Sequence, residues 1–270
     1  MKILSYNVMQ GGFEKYSFDQ KEPKRINLIK KVVASVDADF VSLIDTFRWD
    51  THFTSSDLKS LFGYEYVYCI NLEDKRLIDL GHNNGITVLT RFPNPHFETI
   101  RLSTRNAVKT SIEINRKQVF LFSVYLDDLS EKTRVSQIES LKKHIDDASK
   151  TSVMGDMNSF ESKHLRKIKM NIKKVLSAVD QAKKPALVSV AQDMMKGKTI
   201  EEIKKIGLRN VSNTLHPTAT TPLSPLSETP FIQLDYAFVG SRLNTKNFKV
   251  LINETTSRTS DHYPICFEVS

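Results

Sequence analysis

Four short polar clusters along the chain carry residue types that suit the hydrolysis of a phosphate ester. Each cluster adjoins an apolar run of β type: Ser5-Tyr6-Asn7-Val8, Gly155-Asp156-Met157-Asn158-Ser159, Leu234-Asp235-Tyr236-Ala237-Phe238 and Ser260-Asp261-His262-Tyr263-Pro264. Phosphodiesters resist hydrolysis because their negative oxygens repel a nucleophile, so a site must neutralise charge, position a water and stabilise the leaving oxygen. Hard carboxylate and amide oxygens suit Mg²⁺ for the first task. The clusters therefore favour metal-assisted attack on a phosphorus ester.

Two pairs of residues carry most of this interpretation. Asp156 and Asn158 are spaced i, i+2, so both side chains project from the same side of an extended segment. The alternative for this pair is an Asx-turn that ends a strand. Asp235 and His262 form an inferred pair, in which the carboxylate fixes the imidazole tautomer and raises the imidazole pKa. The resulting imidazolium would polarise a phosphate or protonate a leaving group. The other histidines have no motif around them and are expected to be surface or structural residues.

The order and spacing of these motifs, from Asn7 to His262, resemble the endonuclease/exonuclease/phosphatase superfamily. A single Ser-Asp-His or Gly-Asp-x-Asn would be a weak signal, and the resemblance is carried by all of the motifs together. It implies an α/β fold of DNase I type, a four-layered α/β/β/α sandwich of two packed, mainly antiparallel sheets. It also implies that the loops at one edge of the two sheets form the active-site cleft.

The resemblance further implies roles for individual residues. Asp156 would orient or deprotonate the attacking water, and Asn158 would hold that water or a phosphate oxygen. Asn7 would help to position the metal or a phosphate oxygen, with a plain turn residue as the alternative. Asp261 is a candidate second metal ligand or electrostatic partner.

Asp45 stands where the family usually has its main metal ligand, a glutamate. Its carboxylate is shorter by one methylene, and a slightly displaced ion or a bridging water would compensate. The departure keeps open two alternatives: an N-cap or surface aspartate, and a catalytically weak member of the family that only binds its substrate.

Tyr125 and Asn84 are the remaining candidates for substrate contact. Tyr125 matches the tyrosine of exonuclease III-like and AP-endonuclease-like members, where DNase I-like and sphingomyelinase-like members have histidine. Its phenol would donate a hydrogen bond to the phosphate, and its alternative is a strand aromatic that faces the core. Asn84 precedes Gly85, so a turn asparagine is its default interpretation and a phosphate contact its functional one. Asp127 and Asp128 are expected to be solvated loop carboxylates.

Hydrophobic periodicity and turn signals predict the elements that position these residues. Helices are expected over residues 24–35 and 131–148, and a third from Thr199, with Glu202 as its capping-box partner, to Gly207. Strands are expected over residues 2–8, 39–45, 85–90, 107–114, 118–126, 152–157, 234–239, 248–252 and 263–269.

Composition narrows the class of protein. A chain of 270 residues with 40% hydrophobic and 26% charged residues is typical of a soluble globular protein, and we expect one domain over residues 1–270 and a monomer. No apolar run reaches the roughly 18 residues that span a bilayer, and the start of the chain lacks a signal-peptide pattern, so a cytoplasmic location is expected. Cys69 and Cys266 lie in apolar β-type runs and are expected to be reduced.

The chain is basic, with a formal net charge of +8 and a pI of about 9.3. This charge favours a polyanionic partner, either nucleic acid or an anionic membrane surface. A cation-rich run follows Asn158 up to Lys174, which predicts either the solvated face of a helix or a rim that attracts a polyanion.

The leading hypothesis is a Mg²⁺-dependent phosphodiesterase, with Mn²⁺ as a possible substitute, that acts on nucleic acid and preferably on DNA. The same site would also serve a phospholipid, an inositol phosphate or a small phosphate ester. Residues 220–231, rich in Pro, Thr and Leu, would then form a substrate-facing loop. The third hypothesis is the weak binding protein that Asp45 leaves open.

Overall fold

The structure is a computed structural model that describes residues 1–14, 23–176, 184–224 and 230–270. Within these residues, twelve strands form two six-stranded sheets. The first sheet has the order β11 (Thr245–Val250), β12 (Ile265–Val269), β1 (Lys2–Asn7), β2 (Phe40–Ile44), β4 (Gly85–Thr90) and β3 (Tyr66–Asn71). The second has the order β5 (His96–Leu102), β6 (Arg105–Ile114), β7 (Lys117–Tyr125), β8 (Thr151–Asp156), β10 (Asp235–Val239) and β9 (Arg209–Asn210).

Helices flank the two sheets. They are α1 (Ile26–Val36), α2 (Trp49–His52), α3 (Ser55–Phe62), α4 (Lys75–Asp79), α5 (Glu131–Lys142), α6 (Leu165–Leu176), α7 (Lys184–Met194), α8 (Lys198–Lys205) and α9 (Glu254–Ser257). Short 3₁₀ helices lie at Gln10–Gly12, Ala148–Lys150 and Ser162–His164. Within the described residues, no helix combines the length and the apolar character needed to cross a bilayer.

Side chains alternate between the two faces of each strand, and this alternation builds the layers of the fold. In β1, Ile3 packs into a core shared by both sheets, and the next residue, Leu4, packs into a separate core beneath α1 and α3. In β8, Met154 faces the shared core, whereas Val153 packs against α5 and α8. The predicted four-layered α/β/β/α sandwich is confirmed by this arrangement.

Each sheet contains one parallel pair of neighbours, and these pairs determine where the polar clusters lie. β1 is parallel to β2 and β7 is parallel to β8, and the other pairs are antiparallel. Because parallel strands end at the same edge of a sheet, Asn7 lies opposite Ile44, and Tyr125 lies opposite Asp156. β10 begins where β8 ends, so Asp235 also lies opposite Asp156.

Most predicted elements lie within two residues of their expected bounds, and two of them differ by more. The strand predicted over residues 248–252 is Thr245–Val250, with an irregular register against β12. The helix predicted over residues 131–148 ends at Lys142, and Asp147 then caps a separate 3₁₀ helix by accepting a hydrogen bond from the Ser149 N–H.

The predicted capping box of Thr199 and Glu202 is wrong. The helix begins one residue earlier, at Lys198, and its N-cap is Gly197. Thr199 is buried, and its N–H donates to Glu131 Oε1 at 2.7 Å. A carboxylate from α5 therefore takes the place expected for Glu202, and this long-range contact has no local signal in the sequence.

Candidate active site

Asp156 forms a hydrogen bond that links the two sheets. Its Oδ2 accepts a hydrogen bond from Asn7 Nδ2 in the first sheet at 3.0 Å, and its Oδ1 accepts one from the Asn158 N–H at 3.0 Å. The side chain is buried, with 2% of its surface exposed. Burial raises the pKa of Asp156 to about 7, with His262 opposing this shift and Asp235 adding to it. A carboxylate with this pKa suits the exchange of a proton with water near neutral pH.

Asn158 uses its amide nitrogen to hold the loop after β8, and its predicted contact with a phosphate oxygen or the attacking water stays a prediction. Its backbone lies in the left-handed region at a φ of 46°, and its Nδ2 donates to the Leu126 carbonyl at 3.0 Å. The residue therefore fixes the loop after β8 against the end of β7, and its N–H orients Asp156. The Asx-type contact that was the alternative for this pair is present in the structure.

Asp235 and His262 form the expected hydrogen bond, with 2.8 Å between Asp235 Oδ2 and His262 Nδ1. The other ring nitrogen, Nε2, lies 3.9 Å from Asp156 Oδ2. Burial alone would lower the pKa of His262, but the charges of Asp235, Asp156 and Asp261 overcome it and raise the pKa to about 10. The two neighbouring carboxylates thus favour the cationic form of the imidazole.

Asp45 follows β2 in a left-handed backbone conformation, with a φ of 62°. Its Oδ2 accepts a hydrogen bond from the Gln10 N–H at 2.8 Å, and its Oδ1 accepts one from Asn84 Nδ2. Burial raises the pKa of Asp45 to about 7, and the negative charges of Asp261 and Asp156 contribute to that rise. The N-cap and surface alternatives are therefore wrong, because Asp45 is a buried carboxylate in the same electrostatic cluster as the other site residues.

Asn84 is placed beside Asp45 and is buried. Its amide nitrogen is engaged by that carboxylate, whereas among the described residues its Oδ1 has no hydrogen-bond partner. Asn84 is therefore a side chain that supports Asp45, and the interpretation as a plain turn residue is wrong. A phosphate contact through this residue stays a prediction.

The site residues fit a hard divalent cation. Asp45, Asp156 and Asp235 are all buried carboxylates, and within the described residues Asp235 Oδ1 and Asn84 Oδ1 are buried oxygens without a hydrogen-bond partner. Asp156 and Asp235 belong to a group whose candidate ligand atoms lie within 4.8 Å of one another, and His262, the third member, would complete it only as a neutral imidazole. Several buried carboxylates are costly without a compensating charge, and oxygen-rich sets of this kind suit Mg²⁺ or Mn²⁺.

Tyr125 is half-buried at the end of β7 and partly packs against the core between the sheets. The guanidinium of Arg105 lies 5.0 Å from the centre of its ring. Arg105 has 1% of its surface exposed, and it donates to Asp74 Oδ2 at 2.7 Å and to Asp128 Oδ1 at 2.8 Å. A cationic residue that bridges the two sheets therefore holds the tyrosine in place.

The expectation that Asp127 and Asp128 are solvated is wrong for Asp127. This residue is buried, and its Oδ1 accepts hydrogen bonds from the N–H groups of Leu129 and Ser130 at 3.0 and 2.7 Å. Asp128 is partly exposed and forms ion pairs with Arg105 and Arg76. The two carboxylates shape the loop after β7 and balance the buried charge of Arg105.

Three supporting residues escaped the sequence analysis. Ser260 Oγ donates to the Asn7 carbonyl at 2.7 Å and accepts from the His262 N–H at 3.2 Å. Thr218 Oγ1 accepts from the N–H groups of Leu234 and Asp235, both at 3.1 Å. Gln10 contributes its backbone N–H to Asp45. Ser260 stands inside a recognised cluster and had a signal, whereas Thr218 and Gln10 act through main-chain geometry that no motif reports.

The two cysteines are free thiols, as predicted. Burial raises the pKa of Cys69 to about 12 and also raises that of Cys266. Neither thiol lies among the site residues described above.

The cation-rich run after Asn158 forms part of α6, where Ile168 and Ile172 are buried and Lys169 is exposed. A solvated helix face is therefore present, and its role as a rim that attracts a polyanion stays a prediction.

Solved structures with the same fold cover nearly all of the chain. A 3′ phosphatase, NExo, from Neisseria bound to a product DNA hairpin has a TM-score of 0.66 and 15% identity, over 100% of this chain and 99% of that chain. A family protein from Leptotrichia buccalis has a TM-score of 0.63 and 17% identity, over 100% and 99%. A functionally unknown conserved protein from Enterococcus faecalis has a TM-score of 0.60 and 17% identity, over 100% and 99%. At these identities the likeness shows the fold alone.

No curated protein sequence matches the chain. The model of the Endonuclease/Exonuclease/phosphatase family matches residues 4–262, a span that runs from β1 to His262. That span includes every candidate site residue named above. The chain therefore belongs to the Endonuclease/Exonuclease/phosphatase family, and this membership supports the activity of a phosphoesterase.

Proposed function

We propose that the protein is a divalent-metal-dependent phosphodiesterase that hydrolyses nucleic acid, preferably DNA. The observation that carries this proposal is the set of contacts around Asp156, which joins Asn7 of one sheet to the Asp235–His262 pair beside the other. The hydrolysis of a phosphate ester requires a carboxylate that accepts a proton and an imidazole that is oriented toward the phosphate.

In this mechanism Asp156 accepts a proton from the attacking water. Hydrogen bonds from Asn7 and from the Asn158 N–H hold the Asp156 carboxylate in place. The water oxygen forms a bond to phosphorus as the bond from phosphorus to the leaving oxygen breaks, and the leaving oxygen takes up a proton from solvent water. His262, fixed by Asp235, donates from Nε2 to a phosphate oxygen. Tyr125 offers a phenol at the adjacent strand end.

A bound Mg²⁺ or Mn²⁺ would supply positive charge to the phosphate oxygens. Asp45, Asn7 and Asp261 are the residues proposed to hold it, with Asn84 supporting Asp45. Asp45 replaces the usual glutamate, but its left-handed backbone and its bonds to Gln10 and Asn84 bring the shorter carboxylate into the charged cluster. This placement supports an active enzyme over the weak binding protein.

Two observations support nucleic acid as the substrate. The net charge of +8 favours a polyanion, and the NExo structure of the same fold was solved with a DNA product. A second candidate is a small or lipid phosphate ester. It is favoured by the apolar side chains of Ile232 and Leu234, which lead directly into Asp235 and line a cavity shared with His262.

The test is a substrate panel with Mg²⁺ that contains single- and double-stranded DNA, a duplex with an abasic site, RNA, phospholipids and inositol phosphates. We expect cleavage of DNA that is lost with EDTA and with Asp156→Ala. The exposed Asp37, which lies at the end of α1, provides the matched control Asp37→Ala. Full activity in Asp156→Ala would overturn the mechanism, and turnover of lipid or inositol phosphate alone would establish the second candidate.

A further inference from the structure

Arg25 immediately precedes α1 and extends its guanidinium between two loops that bear site residues. Only 9% of its surface is exposed. Its Nη2 donates to the Met9 and Phe13 carbonyls at 2.7 and 2.8 Å, in the loop after β1. Its Nη1 donates to the Thr259 carbonyl, in the loop before β12 and 234 residues away in sequence. One buried side chain thus joins the two loops through neutral main-chain acceptors.

The backbone of the loop after β1 requires support of this kind. Met9 and Gln10 have positive φ values of 47° and 55°, which non-glycine residues keep only where the surrounding structure enforces them. The Met9 N–H donates to Asn7 Oδ1 at 3.0 Å, and the Gln10 N–H donates to Asp45 Oδ2 at 2.8 Å. The Met9 carbonyl and the Gln10 N–H belong to one planar peptide group. The bond from Arg25 to that carbonyl therefore fixes the direction in which the N–H meets Asp45.

The loop before β12 is anchored at the residue that precedes Ser260. Ser260 Oγ donates to the Asn7 carbonyl at 2.7 Å and accepts from the His262 N–H at 3.2 Å. Asp261 lies between Ser260 and His262 in sequence. Burial lowers the pKa of Arg25, and the charge of Asp261 is the largest of those that oppose this shift. The guanidinium therefore acts on this loop both through a hydrogen bond and through the charge of Asp261.

We propose that Arg25 is a positioning residue that holds the loop after β1 and the loop before β12 in a fixed relation to each other, and so places the residues that bind the cation. The inference rests on the proposed function, because it takes Asn7, Asp45 and Asp261 as those residues. A guanidinium suits this task, because its rigid planar fork donates in several directions at once, whereas an ammonium is a point charge on a flexible stem. Arg25 acts through the two loops and contacts neither the phosphate nor the cation.

The positive charge of Arg25 offers a second explanation, and the two explanations make opposite predictions for metal affinity. A cation close to Asp261 repels a divalent metal ion, so a role of charge alone means that removal of the charge tightens metal binding. A positioning role means that metal binding weakens when the hydrogen bonds are lost, even where the charge is kept. Loss of a residue that supports metal ligands weakens metal affinity by about 10- to 100-fold.

The test compares Arg25→Lys, which keeps the charge but loses the planar fork, with Arg25→Gln, which loses both. Arg258→Lys is the matched control, because Arg258 lies in the same loop as Thr259 and its side chain is 71% exposed. Mn²⁺ is titrated into each protein and followed by EPR, in which unbound Mn²⁺ gives the sharp signal. We expect both Arg25 variants to bind Mn²⁺ about 10- to 100-fold more weakly, and Arg258→Lys to bind it as the unchanged protein does. If circular dichroism shows that one Arg25 variant does not fold, the other provides the test.

Hydrogen exchange of main-chain amides, measured by NMR without metal, reports on the two loops directly. The N–H groups of Gln10 and His262 each donate to a side chain of the site, one in either loop. Relative to the amides of the buried strand β2, we expect both to exchange at least about tenfold faster in the Arg25 variants. A residue that serves only the stability of the fold would lower the free energy of unfolding and leave this ratio and the Mn²⁺ affinity unchanged.

Tighter binding of Mn²⁺ by Arg25→Gln would identify Arg25 as a charge and overturn the positioning role. Unchanged exchange at Gln10 and His262, or unchanged Mn²⁺ affinity, in a folded Arg25 variant would overturn it as well. Failure of the proposed function has different readouts, namely an unchanged protein that binds no Mn²⁺ and cleaves nothing in the substrate panel. Faster exchange at both loops in the variants would then retain Arg25 as the residue that joins the loops, while the metal-dependent hydrolysis would be lost.

Discussion

At the scale of single residues, the site concentrates negative charge where water is excluded. Asp45, Asp156 and Asp235 are each at most 4% exposed, and burial raises the pKa of the first two to about 7. Each is held by named hydrogen bonds, and the one cation among them, His262, is oriented by Asp235. Such an arrangement lowers stability and prepares the site for a charged ligand.

Asp235→Asn tests whether the orientation of His262 matters. The amide keeps the size of the side chain but no longer compensates the imidazolium, so the pKa and the tautomer of His262 change. We expect kcat on the preferred substrate to fall by roughly 10²- to 10⁴-fold with a smaller change in KM, as in other sites where an aspartate orients a histidine. Steady-state kinetics beside Asp37→Asn, an exposed control, would measure this. An unchanged kcat would remove Asp235 from the mechanism.

The residues of the site were predictable to different degrees. Asp156, Asp235 and His262 stand in short motifs at strand ends, so their types and spacing indicated that they would meet. Thr218 is 17 residues from the Asp235 N–H that it accepts from, and Gln10 contributes only a backbone N–H to Asp45. Contacts of this kind depend on the path of the main chain, which residue types alone do not specify.

At the scale of elements, Gly155 determines how β8 ends. Its φ of 139° lies outside the range that other residues adopt. A Cβ at this position would stand 2.0 Å from the Val124 carbonyl oxygen in the neighbouring parallel strand. The glycine thus allows β8 to lie against β7 at the point where Asp156 turns into the cleft.

Gly155→Ala is therefore expected to destabilise the protein by about 3 kcal/mol or more, since backbone strain and a steric clash act together. The measurement is the free energy of unfolding from urea denaturation. Gly63→Ala is the control, because Gly63 also has a positive φ, of 72°, but nothing lies within 4 Å of the point where an alanine Cβ would stand. We expect that variant to lose only about 1 kcal/mol, and equal losses in both variants would contradict the role of the clash.

The buried ion cluster around Arg105 ties the loop before α4 to the end of β7. Arg105 pairs with Asp74 on one side and donates to the Leu126 carbonyl on the other, at 2.7 and 2.6 Å. Its guanidinium also lies over the ring of Tyr125. The contact thus joins elements of the two sheets through a single cation.

Arg105→Met would leave Asp74 buried without its partner, so we expect a loss of about 3 kcal/mol in the free energy of unfolding. Arg101→Met is the matched control, because Arg101 is in the preceding strand and its side chain is 47% exposed. Surface substitutions of that kind change stability by about 0.5 kcal/mol or less. Thermal and urea unfolding of both variants would check the difference, and similar losses would contradict the structural role of Arg105.

The elements predicted from periodicity were largely those with a strong apolar pattern. β1, β2, β7, β8 and α1 lie close to their predicted ranges because each faces a core on at least one side. The capping of α8 by Glu131 and the early end of α5 depend on neighbours distant in sequence. Local sequence propensity does not contain information on such neighbours, so the observed boundaries of these helices differ from the predicted ones.

At the scale of the whole molecule, the proposed cation would link the sheets electrostatically, since its candidate ligands lie at or near the ends of strands of the first sheet and Asp156 ends a strand of the second. Binding of a ligand to the folded state alone stabilises it by about 2.7 kcal/mol at a concentration of 100 Kd. For a chain of this size we expect Mg²⁺ to raise Tm by about 5 °C or more over a sample in EDTA at matched ionic strength. Differential scanning calorimetry of the protein and of Asp45→Ala would measure this, and an equal rise in the variant would exclude Asp45 as a ligand.

The pairing of β12 with β1 brings together the two most distant strands of the chain, and His262 lies just before β12. While the protein is being synthesised, the first strand must therefore wait for the last before its sheet is complete. A partly made chain that lacks His262 and β12 cannot assemble the site, because it has neither the His262 imidazole nor the strand that pairs with β1 on the side opposite β2. During synthesis the proposed site is thus completed only after β12 has been made.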